Sequence, residues 1–185
     1  MIAFIALCPF LFLIFASVMI LRCFYKRCPS NKAIVVYGKL ETTEPLKCVH
    51  GGGVFVWPLI QGYSELSLDA MNIDVKVPNA LAKKNSRVTL TANITFAIST
   101  DEKRLHYAAE RLLACPPDLI TTMANDIAQG QIRLAIAENT SDEIIKNEFV
   151  FADKVKERVD EEIGKLGLRV FYINLKDVSV KEAGQ

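Results

Sequence analysis

The chain opens with an apolar run: from Ile2 to Leu21 there is no charged side chain. About 20 residues rising about 1.5 Å each cross a hydrocarbon core of about 30 Å. The run is therefore predicted to be a membrane anchor, with Phe4, Ile5, Leu11, Phe12, Leu13, Ile14, Phe15, Ile20 and Leu21 among lipid chains. Pro9 removes one backbone donor and bends a helix, which also permits a re-entrant wedge. Beyond the run the pattern changes to short β-branched stretches. AIVVYG, closed by Gly38, reads as a buried strand. HGGGVFVWPLIQGYSELSLDAM begins with three glycines suited to a turn and continues as aromatic and β-branched sequence suited to a strand. Ile73, Val75 and Val77 alternate with Asp74 and Lys76, predicting a half-exposed strand that ends at Pro78. From Val88 to Ile98 apolar residues alternate with Thr89, Thr91, Asn93 and Thr95, which puts one face on a core and the other in water.

After Asp101 the period becomes helical. Leu105, Ala108, Ala109, Leu112 and Leu113 predict an amphipathic helix near 102–114 that stops before Pro116-Pro117. A second helix starts at the prolines, with Asp118 in its first turn, Leu119, Met123, Ile127 and Leu134 as apolar positions, and Gly130 as a weak point. Thr140-Ser141-Asp142-Glu143 fits a capping box opening a third helix, whose stripe is Ile144, Ile145, Phe149, Val155, Val159 and Ile163. Gly164 or Gly167 would end it, and LRVFYINLKDVSV reads as a last strand. The fold class is α+β, with helices packed on one side of a mixed or antiparallel sheet. Strands and helices do not alternate regularly, which disfavours a doubly wound nucleotide fold.

Charge sets the orientation. Only the α-amino group precedes the apolar run, whereas Arg22, Lys26, Arg27 and Lys32 follow it, the reverse of a secretory signal peptide. The positive-inside rule then gives a single-pass protein of the cell membrane with its soluble domain on the cytoplasmic side. Lys plus Arg number 22 against 21 Asp plus Glu, a net charge of +1, so there is no broad positive field for nucleic acid. The five cysteines are scattered and odd in number, which fits a reducing compartment and not a disulfide framework. Cys23 and Cys28 flank the basic junction, where they are either S-acylation sites or idle thiols.

Catalytic chemistry finds little support. His50-Gly51-Gly52-Gly53 imitates the oxyanion loop of lipases, but there is no G-x-S-x-G elbow and His106 is the only other histidine. The triplet also lacks the Lys-Ser/Thr ending of a phosphate loop, and nothing has zinc spacing. Neither a cofactor nor a metal is expected, and the chain is not read as an enzyme. Asn93-Ile94-Thr95 and Asn139-Thr140-Ser141 match a glycosylation pattern that a cytoplasmic location leaves unused. Asp160-Glu161-Glu162 reads as the solvated face of a helix. Phe55, Val56, Trp57, Leu59 and Ile60 form either a loop that dips into the inner leaflet or a piece of core.

RCPSNKAIVVYGK, then HGGGVFVWPLIQGYSELSLDAMNIDV, then AAERLL with IAQGQIRLAIAENTSDEI, and LGLRVFYINLKDVS occur in the order and spacing of one family. Together they resemble the flotillin branch of the SPFH, or band 7, superfamily over nearly everything after residue 27. The resemblance implies a two-part SPFH domain on the inner face of a membrane, bound to membrane lipids and without catalytic residues. It also implies lateral assembly with further copies or with another flotillin, and organisation of membrane microdomains. The alternative within the superfamily is a regulatory partner of a membrane protease, as in its HflK/HflC and prohibitin branches. Flotillins resemble one another in a long Ala/Glu-rich coiled coil after this domain, whereas the sequence here stops at KEAGQ. The expected organisation is therefore an anchor with a basic junction over 1–27, the SPFH domain over 28–180, and the start of a C-terminal region at 181–185.

Overall fold

The computed structural model describes residues 15, 17–19, 22, 24–38, 46–83 and 85–181. The anchor positions Phe4, Ile5, Leu11, Phe12, Leu13, Ile14, Ile20 and Leu21, together with Cys23, lie outside these residues. Phe15, Val18, Met19 and Arg22 are helical and exposed. Among the described residues no helix is long and apolar enough to cross a membrane. The chain divides into two compact units, Met1–Ser67 and Leu68–Gln185.

The first unit is built from β1 (Tyr25–Arg27), β2 (Lys32–Gly38), β3 (Leu46–His50), β4 (Gly53–Phe55) and β5 (Gln61–Ser67). β1 pairs with β4, and β2 lies between β3 and β5, all antiparallel. The run expected to be a buried strand is the centre of the second sheet: Ala33, Ile34, Val35 and Val36 are each at most 1 % exposed, so β2 is covered on both faces. Ile34 and Val36 pack with Cys28, Val54 and Val56, and with Val49 at the margin. Gly51 and Gly52, with φ of +73° and +79°, form the turn between β3 and β4, a conformation that glycine adopts without steric cost. β1 lies on the N-terminal side of the boundary expected at residue 27.

The second unit is a sheet of order β6-β7-β8 with helices on its apolar face. Its strands are β6 (Met71–Leu81), β7 (Arg87–Ile98) and β8 (Leu168–Lys181), and its helices α1 (Glu102–Leu112), α2 (Pro117–Glu138), α3 (Ser141–Lys146) and α4 (Glu148–Gly164). All these ladders are antiparallel, so the sheet is not mixed; the one parallel link among the described residues is an isolated bridge from Lys83 to Thr140. Val88, Leu90, Ala92, Ile94 and Phe96 are fully buried, as the alternation in β7 requires. Pro78 does not end β6. The strand continues to Leu81 through an irregularity between Val77 and Ala80, where Asn79 takes φ +50° and its N–H donates to Thr89 Oγ1 at 3.2 Å. An edge strand tolerates proline at such a point because one side of its ladder is already unpaired.

Two helical expectations are corrected. The buried stripe of α2 is Ile120, Ala124, Ala128, Ile132, Ala135 and Ile136, while Leu119, Met123 and Leu134 are exposed. Small alanines let α2 close against β6, where Gln129 Nε2 donates to the Lys76 carbonyl at 3.0 Å. The third helix is two helices. Thr140 and Glu143 make the capping box, with the Thr140 N–H donating to Glu143 Oε2 at 2.9 Å, but Asn147, at φ −123° and ψ 49°, breaks the helix after Lys146. Ile144 and Phe151 stay inside on either side of the break, while Ile145 and Phe149 face solvent.

Candidate functional site

The β1–β4 ribbon and the turn that follows it carry the exposed aromatic surface of the first unit. Tyr25 faces Phe55 across the ribbon with ring centroids 5.4 Å apart, and Phe24 meets Trp57 at 5.5 Å. The Val56 N–H donates to the Phe24 carbonyl at 3.0 Å, which holds the strand end beside β1. Alternation then decides the faces. Val56 is 4 % exposed and points into the core, so its neighbours Phe55 and Trp57 point out, each 57 % exposed.

A tight turn follows. The Ile60 and Gln61 N–H groups donate to the Trp57 carbonyl at 3.1 and 2.8 Å, and the Trp57 N–H donates to Gln61 Oε1 at 3.0 Å. Pro58 cannot donate, and the turn makes no use of its nitrogen. Leu59 at the tip is 86 % exposed and Ile60 is 54 % exposed. Four of the five residues singled out from the sequence are therefore surface and Val56 is core. Phe24, Tyr25 and Tyr63 belong to the same unit's aromatic surface and were missed, because the pairing of Tyr25 with Phe55 is a tertiary contact that the sequence does not show. Lys26 Nζ lies 5.3 Å from the centroid of the Tyr63 ring, within cation–π range. Arg22 and Arg27 are exposed.

Cys28 is a core residue. It is 7 % exposed, and its thiol lies 3.1 Å from the Lys32 carbonyl and 3.5 Å from that of Val49. A thiol in that position is not presented to an acyl donor, so the acylation reading does not carry over to Cys28. His50 is exposed at the end of β3, and His106 on α1 lies 3.2 Å from Glu110. Among the described residues no three His, Cys, Asp or Glu side chains gather as metal ligands.

A β-sheet unit bearing an exposed apolar strip, joined in sequence to a helix-covered antiparallel sheet, defines an α+β architecture. The chain belongs to the SPFH domain / Band 7 family, which it matches over residues 26–184. It is similar to the flotillin-like protein FloT of Bacillus subtilis (strain 168), 26 % identical with 92 % of this chain and 35 % of that protein covered. It is also similar to flotillin-1 of Carassius auratus, 28 % identical with 82 % and 36 % covered, and to flotillin-2a of Danio rerio, 24 % identical with 80 % and 35 % covered. The chain thus spans about a third of the length of these relatives.

Proposed function

We propose that this chain is a flotillin-like membrane scaffold: a protein held at the inner face of the cell membrane that organises lipid and protein microdomains by lateral oligomerisation. The observation that carries the reading is the strip Phe55, Trp57, Leu59 and Ile60, exposed at 54–86 %, in a unit whose N-terminal segment carries Arg22, Lys26 and Arg27. Exposed apolar groups of this size are costly in water and favourable at a bilayer interface, where an indole keeps a polar partner for its N–H. Cations held near a bilayer surface favour an anionic leaflet by about 1 kcal/mol each. In this reading the uncharged run from Ile2 to Leu21, upstream in the sequence, serves as a single-pass anchor. Cys23, at the same junction, is an acylation site in this reading. Neither cofactor nor catalysis is part of it.

Trp57 is the one tryptophan of the chain, so its emission tests the reading directly. The full chain is reconstituted into vesicles with and without lipids brominated along the acyl chain. A blue-shifted emission that the brominated lipid quenches is expected. Emission that stays water-like and unquenched in both vesicles would remove the docking strip.

A further inference from the structure

A charged groove runs between α4 and β8 in the second unit. Asp153, Lys156, Glu157 and Asp160 line one wall and Arg169, Val170 and Phe171 the other, around a cavity of about 380 Å³. The helical positions are spaced i, i+3, i+4 and i+7, which puts them on one ridge of α4. Asp160 is already engaged: it pairs with Arg104 and accepts the Val170 N–H at 2.9 Å, while Arg104 donates to the Leu168 carbonyl at 3.4 Å. The other charges, Asp153, Lys156, Glu157 and Arg169, enter no salt bridge among the described residues. Phe171 is the extra residue of a bulge, since Val170 pairs with Phe96 and Tyr172 with Thr95. A bulge re-aims the side chain it adds, and Phe171, 52 % exposed, lines the groove.

We infer that this groove binds a short extended segment of a partner protein that presents one basic and one acidic side chain beside an apolar one. The ridge from Asp153 to Asp160 is about 10 Å of helix, which matches about three residues of extended chain and exceeds a single free amino acid. The unpaired side chains set the charges: Asp153 and Glu157, one turn apart, suit an ammonium or guanidinium, and Lys156 with Arg169 suits a carboxylate. Phe171 supplies the apolar contact. Recognition runs through side chains, because Arg104 and Asp160 already hold the Leu168 carbonyl and the Val170 N–H and close that stretch of β8 to strand addition. A bilayer is the poorer occupant: the two cations and two unpaired carboxylates of the groove carry no net charge, so an anionic leaflet gains nothing there. The site shares no residue with the aromatic strip and goes beyond the scaffold reading.

An array of capped hexapeptides, probed with the fluorescently labelled full chain in mild detergent, tests the groove. It holds valine and leucine peptides with one Arg and one Glu at every spacing, beside peptides with Arg alone, Glu alone or neither. Peptides with opposite charges two residues apart, on one face of an extended chain, are expected to bind about fivefold more tightly than the rest, the factor an exposed ion pair supplies. Glu157→Lys and Arg169→Glu, both at exposed positions, should each abolish that preference, with circular dichroism, vesicle flotation and sedimentation as in the wild type. If Arg169→Glu disturbs the fold, Asp153→Lys reads the groove from the exposed side of α4. No preference for opposite charges, or a preference that survives the reversals in folded protein, overturns the site. Altered sedimentation with the peptide preference intact assigns the groove to a contact between copies and also overturns it. Each of these failures leaves the scaffold reading standing.

Discussion

Arg104 on α1 and Asp160 on α4 form a two-pronged ion pair, Nη1 to Oδ1 at 3.2 Å and Nη2 to Oδ2 at 3.0 Å. Asp160 Oδ1 also accepts the Val170 N–H at 2.9 Å, so the pair fixes two helices to the start of β8. Burial by itself pushes the Asp160 carboxyl up, but the Arg104 guanidinium and the Val170 N–H outweigh it and hold the group below its usual range. A carboxyl whose pKa is lower folded than unfolded adds stability above the unfolded value and loses it as pH falls through the folded value. Asp160→Asn is therefore expected to cost about 1–2 kcal/mol at neutral pH, toward the lower end for charged hydrogen bonds because both side chains are partly solvated. The deficit should shrink in acid. Urea denaturation of wild type and variant at neutral and acid pH checks this; a deficit that does not change with pH would sink it. Some acid dependence will persist in the variant, since Lys176 and Asn93 lower Asp74 and Arg158 lowers Glu138 with the same sign.

Gly167 should not tolerate a side chain. It takes φ +85°, and a Cβ there would overlap the Arg104 carbonyl oxygen and the Ala108 backbone nitrogen, both on α1. The left-handed backbone costs an alanine about 1–2 kcal/mol and the overlap a further 1–3 kcal/mol. Gly167→Ala is thus expected to destabilise the second unit by about 2–5 kcal/mol, read as a lowered denaturation midpoint. A midpoint within error of the wild type would mean that α1 can withdraw from the turn.

Removing the aromatic strip should uncouple binding from folding. In a fragment that starts at residue 24, which keeps β1 and the Phe24–Trp57 contact, Phe55→Ala with Trp57→Ala is expected to cut vesicle flotation by about tenfold or more. Circular dichroism should stay native, since both side chains are largely in solvent. Val56→Ala should do the opposite, because its two lost methyl groups are buried: about 2 kcal/mol of stability with binding kept. An unfolded double variant would return Phe55 and Trp57 to the core.

Topology can be read from two cysteines. Cys48 and Cys115 are partly exposed and in no disulfide. If the domain is cytoplasmic, a membrane-impermeant maleimide should leave both unlabelled in intact cells and label them once the membrane is opened. Labelling of Cys115 in sealed cells would place the domain outside.

Much of the fold was legible in the order of residues, because local periodicity and local capping are enough to specify an isolated element. The alternation from Val88 to Ile98 set β7 and its inward face, AIVVYG set β2, and Thr140 with Glu143 set the start of α3. Tertiary contacts decided what periodicity could not. In β8 two irregularities, at Thr91/Ala92 and Thr95/Phe96 of its partner, let Phe171-Tyr172 and Lys176-Asp177 all face outward while Val170, Ile173 and Leu175 stay inside. α2 buries alanines and not leucines because β6 lies close against it, and a hydrophobicity pattern ranks Leu above Ala without knowing how near the partner is. The aromatic strip stood between two readings for the same reason. Phe55, Val56 and Trp57 are all apolar, and only the pairing of β4 with β1 settles that Val56 turns to the core while Phe55 and Trp57 turn to solvent.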